Sequence, residues 1–155
     1  MNFKKPLEPF IITSNYGWRI HPITNVRTFH NGIDLKGFKG QPIYNISPGV
    51  VKSTYFNPIG GKQVIIQHDN GYLSGYAHLD TIKVLQGQRL NRADIIGSVG
   101  DSGRVTGAHL HFTLKDQDGT RVNPGKESLY KLGIDFLEFL IFPAILFIIH
   151  QFTKK

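Results

Sequence analysis

No cysteine occurs anywhere in the 155 residues. That excludes a disulfide scaffold, a cysteine-ligated zinc site and thiol catalysis, so any metal must be held by nitrogen and oxygen donors. Charge is also sparse, at 19% of residues, and acids are the scarcer sign: 11 aspartates and glutamates against 18 lysines and arginines, a formal net charge of +7. Such a balance favours anionic partners such as nucleic acid, phospholipid or anionic cell-wall polymers, without choosing among them. Nucleic acid is set aside, because the basic residues are scattered rather than gathered with aromatics into one patch. The N-terminus has Lys4 and Lys5 but then Pro6, Glu8 and Pro9 where a secretory signal needs an apolar run, so no cleaved leader is expected. Neither an internal repeat nor a G-x-G-x-x-G segment before a helix is present.

What the chain does contain is 17 glycines, eight prolines and 40% apolar residues, the mix of a turn-rich globular domain with a real core. Three textures follow one another. Residues 1–11 read as an extended arm, with Pro6 and Pro9 blocking helix. Residues 12–128 are short apolar runs punctuated by Gly, Pro, Asn and Asp. The runs are Val50 to Phe56, Gln63 to Gln67, Tyr72 to Ala77, Ile95 to Val99 and Ala108 to Leu114. They are rich in Val, Ile, Tyr and Phe and separated by turn signals such as Asp69-Asn70-Gly71 and Asp118-Gly119, which predicts an all-β, small antiparallel sheet domain.

Residues 129–155 are expected to form a hydrophobic C-terminal helix. From Leu132 to Phe152 the chain is dominated by Leu, Ile and Phe, but its uninterrupted apolar core, Phe139 to Ile149, has only 11 residues. As helix that is about 16 Å, against a hydrocarbon thickness of about 30 Å. Asp135, Glu138 and Pro143 make the longer stretch a poor spanning helix. Two readings stay open: a helix packed on the domain or on another subunit, and a tail that contacts a membrane.

Seven histidines are present, and their placement is informative. His109 and His111 lie in Gly107-Ala-His-Leu-His-Phe112, inside an expected strand. Residues i and i+2 of a strand share a face about 6.5 Å apart, so both imidazoles reach one small site while Leu110 and Phe112 face packing. His30 and Asp34 stand in Phe29-His-Asn-Gly-Ile-Asp-Leu35, with Ile33 and Leu35 anchoring the far side. An imidazole nitrogen and a carboxylate oxygen suit zinc, and one more histidine completes three ligands with the fourth position left for water. By itself H-x-x-x-D is common; followed by H-x-H it is far more specific. His78, at the end of another expected strand in Leu73 to Leu79, joins the site by company rather than by its own motif. His68, before a hairpin signal, reads as structural, and His150 is assigned no role. His21 either edges the groove or caps a turn with Pro22, and Arg19 pairs with a substrate carboxylate or with a neighbouring side chain.

These segments resemble the lysostaphin/LytM-type zinc metallopeptidases. Phe29 to Leu35, Tyr76-Ala77-His78-Leu79 and Gly107 to Phe112 look like the family's three motifs. Ser14 to Pro22, Gly87-Gln88, Ile96-Gly97, Gly100 to Gly103 and Val122-Asn123-Pro124 agree with its surroundings, so the resemblance covers about residues 13 to 128. It implies that His30, Asp34 and His111 hold one zinc ion per chain. It implies also that His78 and His109 are the catalytic partners that handle protons and polarise the reacting groups. The implied fold is a small antiparallel β structure with the zinc in a groove between loops. The implied activity is a zinc-dependent endopeptidase on peptide cross-links or stem peptides of bacterial peptidoglycan.

The segment Gly17-Trp-Arg-Ile-His-Pro22 looks more like the stem-peptide cutters. Glycines 32, 60, 61, 103 and 107 either admit a substrate backbone or serve as ordinary turns. A catalytically silent wall-binding or virion protein is the alternative, and it is opposed by all five site positions being filled. With a hydrophobic tail and no leader expected, the reading is a phage-type cell-wall lysin, carried in a virion among tail proteins or released at lysis, or a small wall hydrolase of a conjugation system, acting at the wall and, on the membrane reading of its tail, touching membrane. The net positive charge then suits attraction to anionic wall polymers.

Overall fold

Alternation of apolar and polar side chains along the short runs produces one large antiparallel sheet. The computed structural model describes residues 3–20 and 25–126. His21, His150 and the expected C-terminal helix at 129–155 lie outside the described residues.

In chain order the strands begin with β1 (Ile12–Ser14), β2 (Gly17–Ile20), β3 (Arg27–His30), β4 (Ile33–Lys36) and β5 (Pro42–Tyr44). Then come the long strands β6 (Gly49–Asn57), β7 (Gly61–His68) and β8 (Leu73–Ile82). Last are β9 (Arg89–Leu90), β10 (Ile95–Val99), β11 (His109–Lys115) and β12 (Arg121–Val122). The main sheet runs β1-β4-β11-β8-β7-β6-β9, with β12 added beside β11 and β10 bridging β8 and β5, while β2 and β3 form a separate ribbon. All these pairings are antiparallel. No helix among the described residues is long and apolar enough to cross a membrane.

Strand β11 shows how the sheet is built. Leu110, Phe112 and Leu114 are buried, while His109, His111, Thr113 and Lys115 stay partly open on the other face. Ile33 and Leu35 of β4 and Val64 and Ile66 of β7 extend the same apolar layer, each fully buried. Full burial of such a side chain contributes about 1.5–3 kcal/mol. The N-terminal arm bends at residues 6–9 and is packed: Leu7 is fully buried in this core, Phe3 stacks edge-on against Tyr72 at 5.2 Å, and the Tyr44 amide donates to the Pro6 carbonyl.

Strand β8 departs from the simple pattern. Its first part, Leu73 to Ala77, pairs with β11, and its last part, Leu79 to Ile82, pairs with β10. His78 sits at the change of partner with φ at 65°, a left-handed conformation that costs a non-glycine residue about 1–2 kcal/mol. The sequence places His78 at a strand end; the strand continues to Ile82, bent at this residue.

His68 is structural, as its position before the hairpin suggests. It is 2% exposed, its Nδ1–H donates to the Ser47 carbonyl at 2.9 Å, and its Nε2 is hydrogen-bonded to the Ser74 hydroxyl at 2.7 Å. Burial pushes its pKa below the ordinary histidine value, against the opposing effect of the Ser47 and Pro48 carbonyls. The unfolded chain takes up this proton near pH 6.5 while the folded chain resists it, so stability is lost as pH falls through that value, by at most about 1.4 kcal/mol per unit. Denaturant midpoints measured from pH 7 to 5 are therefore expected to decline, and His68→Gln, which cannot titrate, is expected to flatten the decline. Equal slopes for both proteins would assign the pH dependence elsewhere.

Candidate metal centre

The corner between β3 and β4 sets the geometry. Asn31 and Gly32 carry the chain out of the β2–β3 ribbon and into the main sheet. A side chain on Gly32 would overlap the Phe112 carbonyl oxygen and approach Thr113 Cγ2 to 2.8 Å, so only glycine lets the corner press against β11. The register then sets Asp34 opposite His111 and Leu35 opposite Leu110. His30 arrives from the corner itself, and His109 and His111 stand on the open face of β11.

Three donor atoms converge there. His30 Nε2 lies 3.2 Å and His111 Nδ1 2.8 Å from Asp34 Oδ1, and the two nitrogens are 3.1 Å apart. The opposite side of each ring is engaged. His30 Nδ1–H donates to the Asn15 carbonyl at 2.8 Å, and His111 Nε2–H donates to Asn31 Oδ1 at 3.1 Å. Both inward nitrogens therefore present lone pairs to a carboxylate oxygen, an arrangement of three acceptors that a shared cation relieves. Donors around a tetrahedral zinc at about 2.0–2.1 Å are about 3.3 Å apart, close to these separations. His30, Asp34 and His111 thus fit a zinc-type site, with ligating atoms all within 4.8 Å of one another.

His78 and His109 stand beside this cluster with ring centroids 4.8 Å apart. His109 Nε2 is 3.8 Å from Asp34 Oδ1, and its Nδ1–H donates to the Gly107 carbonyl at 2.9 Å. His78 Nδ1–H donates to the Ser102 carbonyl at 2.9 Å, and its amide donates to the Gly60 carbonyl at 2.8 Å. Each ring is left with Nε2 as a free acceptor.

Behind His78 two loops interlock. The Ser102 hydroxyl donates to the Leu79 carbonyl at 2.7 Å and accepts from the Lys62 amide at 3.0 Å. A side chain on Gly61 would overlap Ser102, and one on Gly103 would overlap the Gly61 amide. The glycines at 32, 61 and 103 are therefore filled by the protein's own atoms rather than open to a substrate backbone. The Cβ position of Gly60 meets the Gln63 side chain, and of the five only Gly107 faces open space.

Burial opposes ionisation of Asp34, but hydrogen bonds and attraction from His111 and His30 outweigh it and hold the carboxyl well below the usual range. Burial lowers the pKa of His78. The Ser102 carbonyl resists that shift, and the neighbouring His109 and His111 add to it. Arg19 answers to one of its two sequence readings: its Nη2 lies 3.8 Å from Asp34 Oδ2.

The five residues line a groove of about 740 Å³ whose walls include Arg19, Asn57, Ile59, Arg104 and Thr106. His30, Asp34, His78, His109 and His111, the five expected site residues, are all brought together. Asn31 and Ser102 were not assigned roles. Asn31 directly follows His30 and was in plain view, whereas Ser102 acts partly through a main-chain carbonyl, which has no side-chain signature.

The model of peptidase family M23 matches residues 28–124. Peptidoglycan DD-endopeptidase ShyA of Vibrio cholerae is 44% identical over 104 residues, covering 66% of this chain and 24% of that protein. A zinc-containing peptidase from Vibrio cholerae superposes with a TM-score of 0.71 at 34% identity, covering 79% of this chain and 39% of the other. A catalytic-domain variant of EnpA, a prophage-encoded M23 protein from Enterococcus faecalis, gives a TM-score of 0.65 at 34% identity, with 76% and 91% covered. The chain spans 24–28% of the length of the first curated relatives it matches. Because the family match takes in well over half of the residues and runs through all three histidine motifs, the chain belongs to peptidase family M23.

Proposed function

We propose that the protein is a zinc-dependent endopeptidase that hydrolyses peptide bonds of bacterial peptidoglycan. In this reading His30, Asp34 and His111 hold one zinc ion per chain, and His78 and His109 serve the reacting groups. The observation that carries it is the convergence of two imidazole lone pairs and a carboxylate oxygen beside two further imidazoles with free Nε2 atoms. The DD-endopeptidase activity named for the ShyA relative supports the substrate class.

A zinc ion, when bound, polarises the scissile carbonyl and lowers the pKa of the attacking water towards about 7. The chain's residues supply the rest. Asn15 and Asn31 hold the His30 and His111 tautomers that leave the inward nitrogens free. The Nε2 of His78 or His109 takes the proton of the water, and the imidazolium so formed gives it to the departing amine. His109 Nε2 lies 3.8 Å from Asp34 Oδ1, on the side of the cluster that would hold the metal. His78 is fixed between the Gly60 and Ser102 carbonyls, so its ring keeps its aim while it titrates.

We propose further a phage-type lysin: the likeness to the prophage-encoded M23 protein EnpA supports a phage source, and the peptidoglycan activity named for ShyA supports action at the wall. The hydrophobic stretch from Leu132 to Phe152 would give such an enzyme a membrane contact and, in a virion, a surface for tail proteins.

Mass spectrometry of cross-linked peptidoglycan incubated with the protein tests the main reading. New amine termini are expected with zinc and not with a chelator; unchanged muropeptides from a folded, zinc-loaded protein would sink it. Asn31→Ala is expected to weaken zinc binding by about 10–100-fold in competition with a chelating dye. Unchanged affinity would show that Asn31 does not set the His111 tautomer. The acid limb of kcat/KM should fall below the ordinary histidine value of about 6.5, because burial keeps His78 an acceptor to lower pH. The groups facing His78 (His109, His111 and Asp34) shape the same limb. A pH–rate profile that already falls between pH 8 and 7 would contradict this.

A further inference from the structure

A second depression of about 410 Å³ adjoins the metal groove and shares Asn31, Gln63, Ala77 and His111 with it. Its floor is the open face of the sheet. His111, Thr113 and Lys115 follow one another along that face of β11, and Gly75 of β8 lies opposite Thr113, whose Oγ1 comes within 2.5 Å of its Cβ position. At the end remote from the metal the lining carries three cations, Lys52, Lys115 and Arg121, and no acid.

Two features leave these cations open to an anion. Lys4, Arg19, Lys39 and Arg89 each have a carboxylate within 4 Å, whereas among the described residues Lys52, Lys115 and Arg121 have none. In addition, Lys115 and Arg121 are direct cross-strand partners on β11 and β12. Like charges directly opposite one another destabilise a strand pair, and an anion bound between them reverses that sign.

We propose that this depression is a subsite for a free carboxylate on the substrate peptide, read by Lys115 and Arg121, with Lys52 of β6 on the opposite wall. The proposal rests on the endopeptidase reading above and adds a specificity element to it. From His111 to Lys115 the strand advances about 14 Å, which is the reach of about four residues of extended peptide. The carboxylate therefore lies about four residues from the bond that is cut. A peptide is favoured over a larger anionic polymer because the depression is continuous with the reaction centre and floored by a sheet with polar and small side chains.

The test uses the full chain loaded with zinc and a cross-linked stem peptide in two forms, with its carboxylates free or amidated. The unaltered protein is expected to show a KM about tenfold lower for the free form, the size of one charge-assisted contact. The variant carrying Lys52→Gln, Lys115→Gln and Arg121→Gln is expected to lose that preference, with a ratio near one. The charge-keeping variant, Lys52→Arg, Lys115→Arg and Arg121→Lys, is expected to retain it. Equal KM values for both forms in the unaltered protein overturn the proposal, as does a preference that survives in the glutamine variant. Loss of binding to a polyglycerol phosphate by the glutamine variant, with its peptide preference intact, also overturns it and assigns the cations to a wall polymer. If neither peptide is cut, the endopeptidase reading fails separately. Equilibrium binding of the two peptides then decides the subsite: preference for the free form that the glutamine variant loses supports it, and equal binding overturns it.

Discussion

The mutual approach of His30 Nε2, His111 Nδ1 and Asp34 Oδ1 is the constraint around which the rest of the molecule is arranged. Two nitrogens and a carboxylate oxygen at 2.8–3.2 Å, with the outer hydrogens of both rings committed to Asn15 and Asn31, are unfavourable without a cation between them. Holding them there takes a rigid frame. The β4–β11 register supplies it from below through Leu35 opposite Leu110 and Ile33 opposite Phe112, all buried. Gly32 supplies it from the side, by letting the β3–β4 corner touch β11 where any side chain would hold it off. A Cβ at that position acts on the candidate metal site through the backbone, without touching any ligating atom.

His78 is held by a different device. A strand that stayed regular through residue 78 would keep its pairing with β11 and turn this side chain by the usual alternation. Instead the left-handed residue passes β8 from β11 to β10, and the ring is fastened to the Ser102 carbonyl. The conformational cost is met by the loops behind it, where Gly61, Ser102 and Gly103 interlock too closely for larger residues. Strain of this kind persists where surrounding contacts over-determine it, and at His78 it lies beside the candidate reaction centre.

Much of this was legible in the sequence because period-two alternation is a local property. The apolar runs from Val50, Gln63, Tyr72, Ile95 and Ala108 correspond to β6, β7, β8, β10 and β11, with ends shifted by a few residues. The H-x-x-x-D and H-x-H segments carry their own spacing, so the companionship of His30, Asp34, His109 and His111 could be anticipated. The short strands β1 to β5, β9 and β12 were not visible, since two to four residues give too little pattern and their pairing is decided by distant partners. The bend at His78 was hidden for a related reason: nothing in Tyr76-Ala-His-Leu79 marks a left-handed residue, and the cause lies in the loops at 60 and 102. The glycines misled in part, because crowding by the protein's own backbone and openness to a ligand favour the same residue.

Stability and chemistry are written into a single strand. Along β11 the residues at 110, 112 and 114 fill the core, while those at 109, 111, 113 and 115 lie on the open face that joins the metal groove to its basic extension. A slip of one residue would exchange the two sets, burying imidazoles and an amine and exposing Leu and Phe, so the core enforces the register that the chemistry needs. The same alternation makes the floor straight. Successive open-face residues project in parallel at about 7 Å intervals, so a peptide lying antiparallel to β11 meets them two residues at a time. Whatever specificity this face holds is therefore set by the identities at 113 and 115 and by their neighbours across the sheet, and it can change without disturbing the core beneath.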